Sequence, residues 1–240
     1  MSPEKFKELV EGTHGGKAKW FDQAIYIKSY PGSDDVKGGV CRALASAYLV
    51  RNFVRSVEKD DDVAPGDAKS LGLNVSGFGD KRFFQAFRLG TPNSENKDFQ
   101  RFEKIKTVQQ ASRAGKDSPT AVEEVASASK SVRMLSNHLM DFDREVAVDF
   151  GLKSALNAAE LPDETGFWLI TCPGHMIAAC IRKNMFGNKA KCFDPNLGEA
   201  KFDTTERLRA FLTDFLIQAY GKTRYLFKRV RAGENPQSPH

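Results

Sequence analysis

Three residues of this 240-residue chain have side chains that together would make a nucleophilic hydrolase. Cys41 follows two glycines and begins an apolar stretch, His175 follows a Cys-Pro-Gly turn, and Asp194 ends a short β-forming run. A cysteine attacks a carbonyl carbon as its thiolate, so it needs a lowered pKa and a base within hydrogen-bonding reach. A carboxylate that holds the other imidazole nitrogen orients that base. The chain order Cys41, His175, Asp194 therefore predicts a triad of the thiol-protease type.

The Cys41 segment on its own allows two interpretations. At the start of a helix, the unpaired N–H groups and the helix dipole stabilise an anion, and the Cys41 N–H is a candidate oxyanion donor. Gly38 and Gly39 would leave room for a substrate backbone and bend the chain into the helix. In the other interpretation, Cys41 is a small buried residue and the glycines form a tight turn. This segment alone favours neither.

His175 is the best-placed candidate base among the four histidines. The other three lie near the termini or among polar helix neighbours: His14, His138 and His240. His175 stands where a turn meets a strand, so the strand would anchor an imidazole that points into a cleft, although a structural histidine is the alternative. If segments 176–183 and 190–194 form a hairpin, His175 and Asp194 lie at the same end of the strand pair.

The elements that would position these residues follow from the spacing of apolar side chains. Helices are predicted over 3–11, 41–57, 98–115, 120–142 and 204–221. The fourth of these would carry Val132, Leu135, Leu139 and Phe142 on one face. Strands are predicted over 24–30, 166–172, 175–183, 190–194 and 224–230. Helices followed by strands, without regular alternation, predict the α+β class.

Domain organisation follows from a change in composition along the chain. Residues 59–125 are mostly polar, and we interpret them as a largely helical insertion rather than a separate domain. Residues 1–232 are then predicted to form one domain, and residues 233–240 a disordered tail. Thr204 or Asp203 is the expected N-cap of the last helix, and Gly221 its expected C-cap.

Charge and hydropathy exclude several functional classes. The net charge of +5 is small and scattered, so no nucleic-acid partner is predicted. The one dense basic segment, 222–231, is interpreted as a solvated edge strand, with a contact to an anionic surface as the alternative. The sequence contains no run of 18 or more apolar residues, so no membrane-spanning helix is predicted. The N-terminus lacks the apolar region of a Sec signal peptide, and Ser2 is not the glycine that N-myristoylation requires.

Cysteine usage points to a reducing compartment, because the four cysteines form no disulfide-like framework. Besides Cys41, they lie in apolar, strand-like runs: Cys172, Cys180 and Cys192. A zinc site would need these three with His175, in a spacing that matches none of the usual paired-ligand patterns. We therefore predict no metal and no cofactor.

Three sequence blocks resemble the YopT/AvrPphB family of bacterial effector cysteine proteases. They are "GGVCRALASAYL", "GHMIAAC" and "CFDPNLGEAKF", of which the Asp-Pro-Asn-x-Gly-Glu run is the most specific. The resemblance implies a papain-like fold, with the nucleophile helix packed on a C-terminal antiparallel sheet. It also implies that Cys41 is the nucleophile, His175 the general base and acid, and Asp194 the orienting carboxylate.

The resemblance further implies a cysteine endopeptidase that a bacterium delivers into the host cytoplasm, as type III effectors are. Its expected partners are a host protein substrate, such as a small GTPase or a kinase, and a secretion chaperone. A glutamine deamidase or acyltransferase would use the same triad, and a non-catalytic interaction protein is a third hypothesis.

One feature of the family is missing from its usual place. Relatives carry an Asn or Gln shortly before the nucleophile as an oxyanion donor, whereas this chain reads Ser-Asp-Asp-Val-Lys at 33–37. The second donor is therefore expected to be a backbone N–H or a more distant amide such as Gln23, or else to be absent.

Overall fold

A computed structural model describes ten parts of the chain. They are residues 1–28, 36, 39–57, 97–111, 130, 139–149, 161, 165–184, 187–221 and 224–232, with the single residues described only locally. The helices are α1 (Pro3–Lys7, continued by a π-helical segment over Glu8–Thr13), α2 (Gln23–Lys28), α3 (Cys41–Val57), α4 (Lys97–Ala111) and α5 (Thr205–Tyr220). The strands are β1 (Lys17–Lys19), β2 (Leu139–Asp149), β3 (Gly166–Cys172), β4 (His175–Asn184), β5 (Gly187–Asp194), β6 (Gly198–Phe202) and β7 (Arg224–Ala232).

The chain divides into two compact units. The first contains Met1–Asp22 and Phe142–Val230, and the second contains Gln23–Asp141 and Arg231–His240. His175 and Asp194 belong to the first unit and Cys41 to the second. The prediction of one domain over 1–232 stays a prediction, and the tail 233–240 and most of the polar segment 59–125 lie outside the described residues.

A seven-stranded sheet in the order β1-β6-β5-β4-β3-β7-β2 dominates the first unit. The four central strands β3 to β6 are consecutive antiparallel neighbours, as expected where short turns join strands. A two-residue turn joins β3 to β4, with Cys172 opposite His175. This meander and the surrounding helices confirm the α+β class.

One face of the sheet is buried beneath α5 and the N-terminal helix. The inward side of α5 carries apolar residues at helical spacing: Leu208, Phe211, Leu212 and Phe215. Phe6 of α1 meets Phe211 and Phe215 edge-on, with ring centroids 6.2 and 5.8 Å apart. The Thr204 side chain accepts the Arg207 N–H and Gly221 ends the helix, so both caps are confirmed. These caps mark where α5 begins and ends.

The second unit is built around the packing of α3 against α4. The first half of α3 is buried on nearly every side, from Ala43 to Leu49. On α4 the buried positions are Phe102, Ile105 and Val108. Tyr26 of α2 meets Phe102 edge-on at 5.5 Å, which joins the short helix to the same core. The predicted helix at 98–115 is present as α4 over its described residues, 98–111. We expected it on the surface, whereas one of its faces is buried.

Three sequence-based predictions are wrong. Residues 24–28 of the predicted strand 24–30 lie in helix α2, because Gln23, Tyr26 and Ile27 are buried at i, i+3, i+4 spacing. Leu139–Phe142, predicted as the end of a helix, lie in β2. In that segment the apolar residues Met140, Phe142, Val146 and Val148 are separated by multiples of two residues, which is the period of a strand. Only Lys130 in the rest of that predicted helix is described, and it is helical.

The third error concerns the basic strand β7, which is not an edge strand. It lies between β3 and β2, and Lys228 is only 5% exposed. Tyr225 and Phe227 belong to the core cluster, so burial of these aromatic side chains outweighs the cost of placing charge nearby. A described edge is instead formed by β1, where Glu11 accepts the Ala18 N–H at 3.2 Å.

None of the helices in the described ranges is both long and apolar enough to cross a membrane.

Candidate active site

The predicted hairpin is present and brings His175 and Asp194 together. Strands β4 and β5 pair from Ala178 with Phe193 to Asn184 with Gly187, so His175 and Asp194 lie at the same end. The His175 Nε2 atom is 3.1 Å from Asp194 Oδ1. Both side chains are buried, with Asp194 only 1% exposed. The sheet therefore holds an imidazole by one ring nitrogen on a buried carboxylate.

Two further donors satisfy the Asp194 carboxylate. The Asn196 N–H donates to Oδ1 at 2.7 Å, and the Tyr220 hydroxyl donates to Oδ2. A buried charge that lacks such partners is costly, so these contacts make a carboxylate tolerable at this depth. Asp194 therefore has a defined orientation, with one oxygen towards the histidine and the other towards the tyrosine.

The turn that follows Asp194 is fixed by a close backbone approach. Gly198 has φ +110°, and a Cβ there would lie 2.1 Å from the carbonyl oxygen of Lys19. The Leu197 N–H donates to the Asp194 carbonyl at 3.1 Å. Glycine is thus required where the Asp-Pro-Asn-Leu-Gly turn packs against the chain leaving β1. This close approach accounts for the glycine in the Asp-Pro-Asn-x-Gly-Glu run.

Tyr220, the last residue of α5, is the site residue that sequence reasoning missed. Its ring stacks on the His175 imidazole, with centroids 5.3 Å apart and planes inclined by 15°. Burial, and next the Asp194 carboxylate, raise the pKa of Tyr220, so the phenol remains a neutral donor. The only signal in the sequence was a polar aromatic residue just before the predicted helix C-cap.

Cys41 is the first residue of α3, as predicted. The Leu44 N–H donates to the Val40 carbonyl at 3.0 Å, which makes Val40 the N-cap and Cys41 the first helical residue. The Cys41 side chain is partly exposed, unlike those of the other three cysteines. Cys41 thus combines access from solvent with a helix N-terminus, the two conditions under which a thiolate is favoured.

Two glutamine side chains hold the start of α3. The Oε1 atom of Gln23 accepts the Val40 N–H at 2.8 Å, and that of Gln109 on α4 accepts the Ala43 N–H at 3.0 Å. Gly39 has φ +94°, and a Cβ there would lie 3.2–3.3 Å from the Gln23 amide. The space at Gly39 is therefore occupied by Gln23, and the glycine serves to bend the chain. Gln23, the more distant amide that the sequence offers as a second oxyanion donor, therefore lies beside this turn. Its role as an oxyanion donor stays a prediction.

The Gln23 contact predicts a stability effect. Gln23→Ala removes the acceptor from a buried N–H, and we expect it to lower the free energy of unfolding by about 1–3 kcal/mol. Gln109→Ala is the comparison, with a smaller expected loss because Gln109 is more exposed than Gln23 and water can replace it. Urea unfolding of the three proteins measures both. Equal midpoints for Gln23→Ala and the parent chain would show that this contact does not hold the start of α3.

The remaining cysteines are poor nucleophiles. Burial raises the pKa of Cys180 to about 12. Burial, and next the Asp194 charge, raise the pKa of Cys192 well above its usual value. Cys172 is also buried. Within the described ranges, no group of three or more His, Cys, Asp or Glu side chains is placed to hold a metal ion.

Comparison with known proteins gives one family match. The sequence model of the family described as Yersinia/Haemophilus virulence surface antigen (Peptidase_C58) matches residues 79–229, which is more than half of the chain. The matched range contains His175 and Asp194 and begins after Cys41. No curated protein sequence matches significantly.

Two solved structures are similar to the chain at 14% identity. The Pseudomonas avirulence protein AvrPphB gives a TM-score of 0.45, over 83% of this chain and 95% of that one. PatoxP, a cysteine protease-like domain of the Photorhabdus asymbiotica toxin PaTox, gives 0.27, over 75% of this chain and 79% of that one.

Proposed function

Because this chain belongs to the peptidase family of the Yersinia/Haemophilus virulence surface antigens, we propose that it is a papain-like cysteine endopeptidase. Its proposed triad is Cys41, His175 and Asp194. The observation that supports this most is the buried His175–Asp194 hydrogen bond, which lies within the matched range. The role of Cys41 rests on its partial exposure and its place at the N-terminus of α3.

In the proposed reaction, the histidine acts through its second ring nitrogen. A hydrogen bond from Nε2–H to Asp194 fixes the neutral tautomer with an unprotonated Nδ1. Nδ1 takes the proton of the Cys41 thiol, and Sγ then attacks the scissile carbonyl carbon. The tetrahedral intermediate collapses as the imidazolium gives its proton to the leaving amine, which leaves an acyl-enzyme. Water, deprotonated by His175, cleaves the thioester and regenerates the thiol.

The Cys41 N–H is the proposed main-chain oxyanion donor, because it lies at the start of a helix beside the attacking sulfur. The Gln23 amide is the proposed second donor, since it lies against the turn at Gly39. In this assignment Gln23 takes the role of the Asn or Gln that relatives carry shortly before the nucleophile.

The biological part of the proposal concerns where the substrate is found. The family description names virulence proteins, and this supports delivery of the chain by a bacterium into a host cell. The proposed substrate is a host protein in the cytoplasm, with a small GTPase or a kinase as the first classes to test.

The experiment compares host-cell lysates treated with the parent chain and with Cys41→Ala. Peptides with new N-termini that appear only with the parent chain are the expected result. Deamidated glutamines that appear without new termini would replace endopeptidase by glutamine deamidase. An identical set of peptides in both lysates would contradict the proposed catalytic function.

A further inference from the structure

The contacts of Tyr220 connect the end of α5 to both members of the His175–Asp194 pair. Its hydroxyl donates to Asp194 Oδ2, while its ring lies nearly parallel to the imidazole at a centroid distance of 5.3 Å. One side chain therefore reaches the carboxylate by a hydrogen bond and the imidazole by stacking.

The end of α5 is itself held in place, so the phenol position is determined by the fold. The Tyr225 hydroxyl lies 3.0 Å from the Leu216 carbonyl and 2.7 Å from the Gly221 carbonyl. The Gly221 N–H donates to the Ile217 carbonyl at 3.0 Å, which completes the helix end. Phe215 packs edge-on against the Tyr220 ring with centroids 6.1 Å apart. These contacts fix the last turn of the helix on the first residues of β7.

We infer that Tyr220 is a positioning residue for the histidine of the active site. Its hydroxyl occupies Oδ2, which leaves Oδ1 directed at His175 Nε2, and its ring fixes the plane of the imidazole and keeps water from that face. The inference rests on the proposed function for its catalytic consequence, whereas the orientation of the His175–Asp194 pair is measurable without any reaction.

The chemistry of the three groups supports this role. A carboxylate can present either oxygen to a donor, and rotation exchanges the two unless both are engaged. Asn196 and His175 share Oδ1, so Tyr220 is the group that distinguishes Oδ2. Without the hydroxyl, the buried Oδ2 atom loses a hydrogen-bond donor. Rotation of the Asp194 carboxylate away from the histidine then becomes more favourable. The histidine would then occupy its productive tautomer for less of the time.

The test uses Tyr220→Phe, which removes the hydroxyl and keeps the ring, with Tyr225→Phe as the matched control. Both tyrosine hydroxyls donate near the same helix end. That of Tyr220 donates to Asp194, whereas that of Tyr225 lies at the Leu216 and Gly221 carbonyls. Each change is made in the full chain carrying Cys41→Ala and histidines labelled with ¹⁵N. In the parent, the His175 Nε2–H proton is expected as a downfield NMR signal that exchanges slowly with water. Tyr220→Phe is expected to speed that exchange by about 10-fold. Tyr225→Phe leaves the Tyr220 hydroxyl and the Gly221 N–H bond in place, so a much smaller change is expected.

The same substitutions in the chain with Cys41 intact give a kinetic readout. Because Tyr220 acts through His175, Tyr220→Phe is expected to lower kcat about 10-fold and leave KM unchanged. Tyr220→Leu, which also removes the ring, is expected to lower kcat further. An unchanged Nε2–H signal in Tyr220→Phe would overturn the inference and leave the proposed function standing.

Two other outcomes separate the inference from alternatives. An equally faster Nε2–H exchange in Tyr225→Phe would assign the effect to the end of α5 as a whole, and would overturn a role specific to Tyr220. A parent chain that cleaves no host protein, yet shows the expected signal change in Tyr220→Phe, would support the positioning of His175 while the endopeptidase proposal fails.

Discussion

Cys41→Ala is expected to abolish proteolysis, lowering kcat/KM on the order of 10⁴-fold or more. The substitution removes the sulfur that is proposed to form the acyl-enzyme, and neither His175 nor Asp194 could replace it. Little change in stability is expected, because the Cys41 side chain is partly exposed and alanine is a good helix former. Cleavage of a host substrate, followed as the appearance of its new N-terminus, is the measurement.

The matched control is Cys180→Ala. Cys180 lies in β4, and burial raises its pKa to about 12, so its thiol is protonated at neutral pH. We expect this variant to keep its cleavage activity and its labelling by a thiol-directed reagent, although the lost burial lowers its stability somewhat. Cleavage that persists in Cys41→Ala would exclude Cys41 as the nucleophile.

His175→Ala is expected to have the second largest effect, a loss of kcat on the order of 10³- to 10⁴-fold. The substitution removes the group proposed both to deprotonate the thiol and to protonate the leaving amine. It also leaves the buried Asp194 carboxylate without its imidazole partner, so we expect a measurable decrease in Tm. Single-turnover kinetics is the suitable measurement, because it separates the acylation step from product release.

His14→Gln provides the control for His175→Ala within the same unit. His14 is also mostly buried and pairs with a carboxylate, its Nε2 lying 3.0 Å from Asp214 Oδ2. Loss of this pair is expected to affect stability and to leave the rate of cleavage unchanged. If both histidine variants lost activity to the same extent, the effect would reflect general destabilisation, and the assignment of His175 as the base would lose its support.

The part of the site that the sequence predicted best depends on local turn chemistry. The two β-forming runs at 176–183 and 190–194, separated by only a few residues, indicated the hairpin of β4 and β5. That hairpin alone places His175 and Asp194 at one end. The start of α3 at Cys41 was similarly predictable, because the apolar stretch begins directly after two glycines. In both cases the determining residues are close together in sequence.

The parts that were missed depend on contacts between distant segments. Tyr220 meets Asp194 across 26 residues, and Gln109 meets Ala43 across 66, so neither partner is visible in a local pattern. The charges of β7 suggested an edge strand, but burial of Tyr225 and Phe227 decided its place inside the sheet. Tertiary burial overrides local propensity in such segments. The short helix α2 was missed for a different reason, since six residues carry too few repeats to distinguish the two periods.

The proposed catalytic pair of Cys41 and His175 is tested by the pH dependence of Cys41 alkylation by a small thiol reagent, measured in the parent chain and in His175→Ala. An imidazolium next to the sulfur would stabilise the thiolate, so a midpoint well below the ordinary thiol value of about 8.5 is expected in the parent. A midpoint that returns towards about 8.5 is expected in His175→Ala. Identical midpoints of about 8.5 in both proteins would show that the two residues do not act as a pair.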